Sequence, residues 1–237
     1  AFSHIELARK AEIFVIAPAT ANIINKYASG IADDLLSTAL LVYKGPVLLA
    51  PAMNWRMYEN PVTQKNLEYL RTLGIKIVGP ELGMLACGEE GLGRMSEPNK
   101  ILESIISALT PKDMLNERVL VTAGPTREYI DPVRFISNRS SGKMGFAIAK
   151  VASRRGAEVL LVSGPTSLEI DNGNIRLIKV NSSDEMYDAV MSNISTVTML
   201  IMSAAVADFK PANFYSEKVQ KVERLILELN QTKDILY

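Results

Sequence analysis

The sequence predicts an α/β protein made of two parallel-sheet domains. Three observations carry this. Short apolar runs stopped by proline or glycine recur along the chain, stretches with helical spacing separate them, and the pattern restarts after a polar segment near residue 112. Apolar residues fill 48% of the 237 positions, enough to bury two cores.

The elements follow in order. Ile13 to Ala17 is a buried strand ending at Pro18, and Thr20 to Leu41 is helical with a break at Gly30. Pro46 to Ala50 is a second strand, stopped by Pro51. Pro61 to Leu73 is a helix closed by Gly74, and Ile75 to Val78 is a third strand. A loop rich in glycine and charge runs from Gly79 to Pro98, and Ile101 to Leu109 is a closing helix. The polar stretch 112–117 reads as a linker between a first domain, 1–111, and a second, 118–237. There the strands are Arg118 to Thr122, Glu158 to Ser163, Ile175 to Val180 and Thr198 to Ser203, with LILEL (225–229) as a later one. The helices are Gly142 to Arg155 and Ser183 to Ser192, the latter opened by Ser182, Ser183 and Glu185. Alternation of this kind is the pattern of Rossmann-like or flavodoxin-like sheets, where ligands bind beyond the carboxyl ends of the strands.

Bulk properties exclude several functions. Lys plus Arg and Asp plus Glu number 26 each, so no excess of positive charge draws the chain to nucleic acid or an anionic membrane. A single cysteine cannot form an internal disulfide, which fits a reducing cytoplasm. No apolar run is long enough to cross a bilayer. The chain begins at Ala1 with no signal-like segment, so it reads as part of a longer protein, the first domain lacking its N-terminal part.

Three segments after strands of the first domain carry chemistry. In APATANI (17–23), Pro18 and Ala19 let a ring or a phosphate approach the backbone, while Thr20 and Asn22 offer hydrogen bonds; Thr20 serves equally well as a helix cap. In APAMNWRMYENP (50–61), Asn54 can bind a carboxylate or phosphate between the soft walls of Met53 and Met57, or it can sit in a proline-bounded turn. In LACGEEGLGRMSEP (85–98), Cys87 is a proton donor, a nucleophile or an inert thiol, within a glycine-rich flap. His4, the one histidine, can act as a base or be incidental.

Taken jointly and in this order, SHIELAR, APATANI, PAMNWRMY and ACGEEGLGRM resemble the flavoprotein decarboxylase family that acts on peptidyl or phosphopantothenoyl cysteine. Tyr58 stands where many members have Trp. The resemblance implies FMN held by Pro18, Ala19, Thr20, Asn22 and Met53, and a substrate held by Asn54, Met57, Arg94 and Met95. It implies oxidation of the cysteinyl group to a thioaldehyde, loss of carbon dioxide, and re-reduction of the enethiol. His4 corresponds to the base, Asn54 to the residue on the substrate carboxylate, and Cys87 to the proton donor. Family members complete the flavin site between subunits, so a homo-oligomer is expected.

The second domain carries TAGPTREYIDP (122–132), ISNRSSGKMG (136–145) and SAAVADFKP (203–211). Ser140, Ser141 and Gly142 at a helix start suit phosphates, with Lys143 adding charge. Neither GxxxxGK[ST] nor GxGxxG is present, which counts against a P-loop and against an NAD-dependent oxidoreductase. Asp208 can bond a ribose or a base or help hold Mg2+, and Lys218 and Lys221 lie in a stretch that could cover a triphosphate or be solvated. The set resembles the phosphopantothenoylcysteine synthetase family, with Gln220 and Lys233 where members often have lysine and proline. That resemblance implies attack of phosphopantothenate on CTP with Mg2+, an acyl-cytidylate, and displacement of CMP by cysteine. Asn138 corresponds to the residue at the activated carbonyl and Lys218 to a catalytic nucleotide contact. Ala204, Ala205, Val206, Asp208, Asp234 and Ile235 correspond to further nucleotide-binding positions. Both domains together are similar to the fused enzymes of coenzyme A biosynthesis. The competing reading is a decarboxylase-like regulatory or binding protein without turnover.

Overall fold

Strand β2 (Val47–Pro51) is buried along its whole length, as a continuous apolar run in the middle of a covered parallel sheet should be. The computed structural model describes residues 3–86, 88–170, 174–221 and 223–235. The chain divides into two units, Ala1–Thr110 and Pro111–Tyr237. In the first, β1 (Phe14–Ala19), β2 and β3 (Lys76–Ile77) form a parallel sheet in the order β1-β2-β3. Successive side chains of β2 point to opposite faces. Val47 and Leu49 enter one core with Ile24, Leu40, Leu67 and Leu70, while Leu48 and Ala50 enter another with Ile101.

The helices of this unit are α1 (Ser3–Lys10), α2 (Ala21–Ala28), α3 (Leu35–Val42), α4 (Trp55–Glu59), α5 (Pro61–Thr72) and α6 (Pro98–Leu109), with α1 packed on α3. The helix expected over 20–41 is two helices, α2 and α3. Gly30 takes φ 68°, and Asp34 then starts α3 with a capping box: its carboxylate accepts from Ser37 N–H and the Ser37 hydroxyl accepts from Asp34 N–H. The loop expected over 79–98 contains an antiparallel hairpin, β4 (Glu81–Met84) with β5 (Glu90–Arg94), pairing Leu82 with Leu92 and Gly83 with Gly91. Glycines at 83, 91 and 93 hide the alternation that normally marks such strands.

The second unit is built on β6 (Arg118–Ala123), β9 (Glu158–Ser163), β10 (Ile175–Lys179) and β11 (Met199–Met202), all parallel in the order β10-β9-β6-β11. Val119, Val121, Val159 and Leu161 pack on the side of α7 (Lys143–Arg154), with Phe146 and Ala149. Leu120 and Val162 face the side of α8 (Ser183–Met191), with Met186 and Val190. Residues 112–117, expected as a linker, are anchored in this unit: Met114 is buried in its core, and Asp113 accepts both arms of the Arg155 guanidinium at 2.7 Å. That bidentate pair holds the Asp113 carboxyl below the ordinary carboxylate range.

Two further antiparallel hairpins, β7 (Arg127–Tyr129) with β8 (Phe135–Ser137) and β12 (Phe209–Pro211) with β13 (Leu229–Gln231), lie at strand ends. The strand expected over 225–229 is displaced to β13, where residues 229–231 pair with β12, while Leu225 and Ile226 are exposed. Helix α8 opens with Ser182 accepting from Glu185 N–H, but the Glu185 carboxylate takes Asn181 N–H instead of completing a reciprocal box. Ser182→Ala should cost about 1 kcal/mol of stability, read by urea unfolding; an unchanged midpoint would show that Glu128, which accepts from Ser183 N–H at 2.9 Å, suffices as a cap. No helix among the described residues is long and apolar enough to cross a membrane.

Candidate functional site

Both units gather small residues and polar side chains where their parallel strands end. In the first, Ala19 is buried while Pro18, Thr20 and Asn22 are exposed, which makes an open ledge after β1. Thr20 caps α2 through a long contact of 3.5 Å from Ile23 N–H. Ala52 N–H donates to Ala19 O, tying the end of β2 to the end of β1.

The hairpin β4–β5 lies against the segment that follows β2. Met53 N–H donates to Gly93 O at 2.9 Å. A Cβ on Gly93 would stand 2.1 Å from Met53 O, and one on Gly91 would stand 2.7 Å from the Trp55 side chain. Glycine at both positions is therefore what permits the contact. Asn54 caps α4, its Oδ1 accepting from Arg56 N–H at 2.9 Å. Trp55 Nε1 donates to Glu89 at 2.8 Å, and Arg56 stands 3.7 Å from the same carboxylate and over the Trp55 ring. Between hairpin and segment lies a cavity of about 420 Å3, lined by Ala52, Met53, Asn54, Met84, Leu85, Ala86, Gly93, Arg94 and Met95.

Four expected residues, Met53, Asn54, Arg94 and Met95, thus come together in one cavity. Arg94 also pairs with Glu97. Others do not line it. Met57 is exposed on α4, and Pro18, Thr20 and Asn22 stay on the ledge. His4 sits in the first turn of α1, half-buried. Cys87 lies outside the described residues; its neighbours Leu85 and Ala86 line the cavity.

In the second unit the segment after β11 is stitched to the end of β6. The buried Thr122 hydroxyl accepts from Ser203 N–H (3.1 Å) and Ala204 N–H (3.2 Å), and Ser203 Oγ donates to Thr122 O. Ala205 N–H donates to Gly124 O, and the buried Thr126 hydroxyl accepts from Ala207 N–H at 2.9 Å. These bonds shape a cavity of about 260 Å3 lined by Met202, Ala204, Val206, Ala207, Asp208 and residues 231–235. Ala204, Val206, Asp208, Asp234 and Ile235 meet there as expected candidates, while Ala205 pairs with Pro125 instead of lining it. Asn138 Nδ2 donates to Val206 O at 2.9 Å, which brings that side chain to the same segment.

Helix α7 starts at Gly142, φ 73°, with no side-chain cap, and Ser140 Oγ accepts from Gly142 N–H. Its first-turn N–H groups have no capping side chain, an arrangement suited to an anion. Ser140 and Ser141 are exposed beside it, and Lys218 is exposed on the segment between the strands of the last hairpin. Nothing in the sequence singles out Thr122, Thr126 or Asp131. Burial pushes the Asp131 carboxyl up, but backbone N–H groups of Val133, Arg134 and Val219 and the Arg134 charge outweigh it and leave it below the ordinary range.

Residues 114–237 match the family model for the DNA/pantothenate metabolism flavoprotein C-terminal domain. The chain belongs to the DNA/pantothenate metabolism flavoprotein family. Residues 1–110 match a second model, that of the flavoproteins. Among curated relatives, the chain is 47% identical over 220 residues to the "Coenzyme A biosynthesis bifunctional protein CoaBC" of Vibrio vulnificus (strain YJ016), covering 93% of this chain and 55% of the relative. It is 45% identical over 238 residues to the protein of that name from Bacillus subtilis (strain 168), covering 99% and 59%. A solved C-terminal domain of such a bifunctional protein is 47% identical and covers 52% of this chain and 57% of its own, at a TM-score of 0.45. The chain thus spans between 55% and 59% of the length of these curated relatives. In this member of the family, the 420 Å3 cavity belongs to the flavoprotein-matching unit and the 260 Å3 cavity to the C-terminal-domain unit.

Proposed function

We propose that this flavoprotein works in coenzyme A biosynthesis. The second unit joins 4′-phosphopantothenate to cysteine using CTP and Mg2+, through an acyl-cytidylate. The first decarboxylates the resulting phosphopantothenoylcysteine to 4′-phosphopantetheine with FMN, in a homo-oligomer. The observation that carries this reading is the convergence of Met53, Asn54, Arg94 and Met95 on one cavity beneath a glycine-bearing hairpin, in a chain whose relatives bear that name.

The residues present fit a flavin. Pro18 and Ala19 leave the strand end low enough for a flat ring, and the exposed Thr20 and Asn22 supply hydrogen bonds. When bound, FMN supplies reversible two-electron chemistry. The chain's own residues do the rest. Asn54, whose Oδ1 accepts from Arg56 N–H, is the residue for the substrate carboxylate, and Arg94 adds charge. His4 takes a proton and Cys87 returns one. The hairpin keeps water from the cavity. In the second unit, the uncapped start of α7 with Ser140 and Ser141 receives phosphates, and Lys218 neutralises charge on the triphosphate. Asn138 faces the activated carbonyl, while Ala204 to Asp208, Asp234 and Ile235 hold the nucleotide. Mg2+ would be held chiefly by the phosphates of CTP, with one carboxylate such as Asp208 beside them.

The test supplies the full-length protein with FMN, phosphopantothenate, cysteine and CTP·Mg2+. Release of pyrophosphate, CMP and carbon dioxide is expected. A protein that retains FMN but releases none of them is the regulatory binding protein instead.

A further inference from the structure

The segment that carries Lys218 has no regular structure, yet one of its residues is held at both backbone polar atoms. Val219 N–H donates to Asp131 Oδ2 at 3.2 Å, and Val219 O accepts from Arg134 Nη2 at 2.6 Å. Both side chains come from the turn between β7 and β8. Tyr215 N–H donates to Ile130 O at 2.9 Å, so the segment meets the same turn a second time.

Asp131 is fully buried. A buried carboxylate is costly unless its lone pairs find donors. Its Oδ1 accepts from Val133 and Arg134 N–H, both at 2.8 Å, and these two bonds are enough to shape the turn. Its Oδ2 does something else. It reaches a residue 88 positions away, with Arg134 Nε at 3.6 Å supplying countercharge. The two oxygens therefore divide into a local task and a distant one. Lys218, next to the held residue, is exposed. A lysine on an unrestrained loop loses much conformational freedom when it meets a phosphate, and fixing the adjacent backbone removes that loss beforehand.

We propose that Asp131 and Arg134 are positioning residues, a two-point clamp on Val219 that places Lys218 for the triphosphate of CTP. The clamp rests on the reading of Lys218 as a nucleotide contact. It makes the β7–β8 turn part of the nucleotide machinery without touching the nucleotide.

The test uses Asp131→Asn and Arg134→Lys in the full-length protein. Asn keeps an acceptor for the turn but puts an NH2 where Val219 N–H needs an oxygen. Lys keeps the charge but cannot reproduce the guanidinium fork that spans Asp131 and Val219 O. Hydrogen exchange at the Val219 amide should quicken about tenfold in Asp131→Asn, with tryptic cleavage at Lys218 faster in both variants. The KM for CTP should rise about tenfold, while the KM for cysteine stays within about twofold. A Val219 amide that exchanges as in the parent overturns the clamp. A faster amide with an unchanged KM for CTP overturns its role in nucleotide binding. Lys218→Ala then locates the fault: if it too leaves that KM unchanged, the nucleotide reading of Lys218 has failed rather than the clamp's geometry. Should Asp131→Asn fail to fold, Arg134→Lys decides alone, since Arg134 is half-exposed.

Discussion

Gly164→Ala is expected to destabilise the second unit by on the order of 3 kcal/mol, a large part of a domain's total stability. A Cβ at this position would stand 1.7 Å from Pro125 O and 2.8 Å from its carbonyl carbon. Both atoms are backbone, so no side-chain rotation relieves the overlap. The loops after β6 and β9 must separate, and Gly164 N–H would pull away from Ala123 O. Neighbouring glycines leave no slack: a Cβ on Gly124 would meet Gly164 O at 3.1 Å, and one on Gly142 would meet Gly124 N at 3.3 Å. Urea unfolding followed by circular dichroism reads the change. A parent-like midpoint would mean that these strand ends move apart easily, which is incompatible with the packing described. Under the proposed function the same displacement should weaken CTP binding, because only a Cβ-width separates the start of α7 at Gly142 from Gly124.

Asn54→Asp is expected to lower kcat/KM for decarboxylation at least about a hundredfold while leaving the fold intact. Asp caps a helix as well as Asn does, so the bond from Arg56 N–H survives. What changes is the other end of the side chain. A donor NH2 becomes a carboxylate oxygen, which under the proposed function would meet a substrate that is itself a carboxylate. The steady-state assay with phosphopantothenoylcysteine measures this, and the thermal midpoint shows whether stability contributed. A kcat/KM within about threefold of the parent would remove Asn54 from the substrate site.

Much of the architecture is legible in the sequence because apolar runs of strand length stand between glycine and proline. Strand β9 occupies the residues expected, Glu158–Ser163, and α5 stops one residue short of its expected end, before Gly74 at φ 82°. The hairpins are not legible. β7 and β8 are three residues each, too short to show alternation, and β4–β5 is interrupted by glycines that exist to admit Met53 and Trp55. The site divides in the same way. Asn54 and the segment 204–208 lie just past strand ends, where ligand-binding residues are sought. Thr122 bonds partners 81 and 82 residues away, and Asp131 one 88 away. Spacing along the chain reports local geometry only, so residues that act by joining distant segments leave no trace in it.

Trp55 is the chain's one tryptophan. Its indole N–H bonds Glu89 near the turn of the β4–β5 hairpin, its ring lies under Arg56, and its side chain packs on Gly91. The molecule thus carries a built-in optical probe at the edge of the first cavity. Within these 237 residues, indole emission excited near the red edge of its absorption comes from this one side chain against the hairpin. A ligand that enters the cavity beside it changes the surroundings of that ring, a change that stopped flow can time with no dye attached.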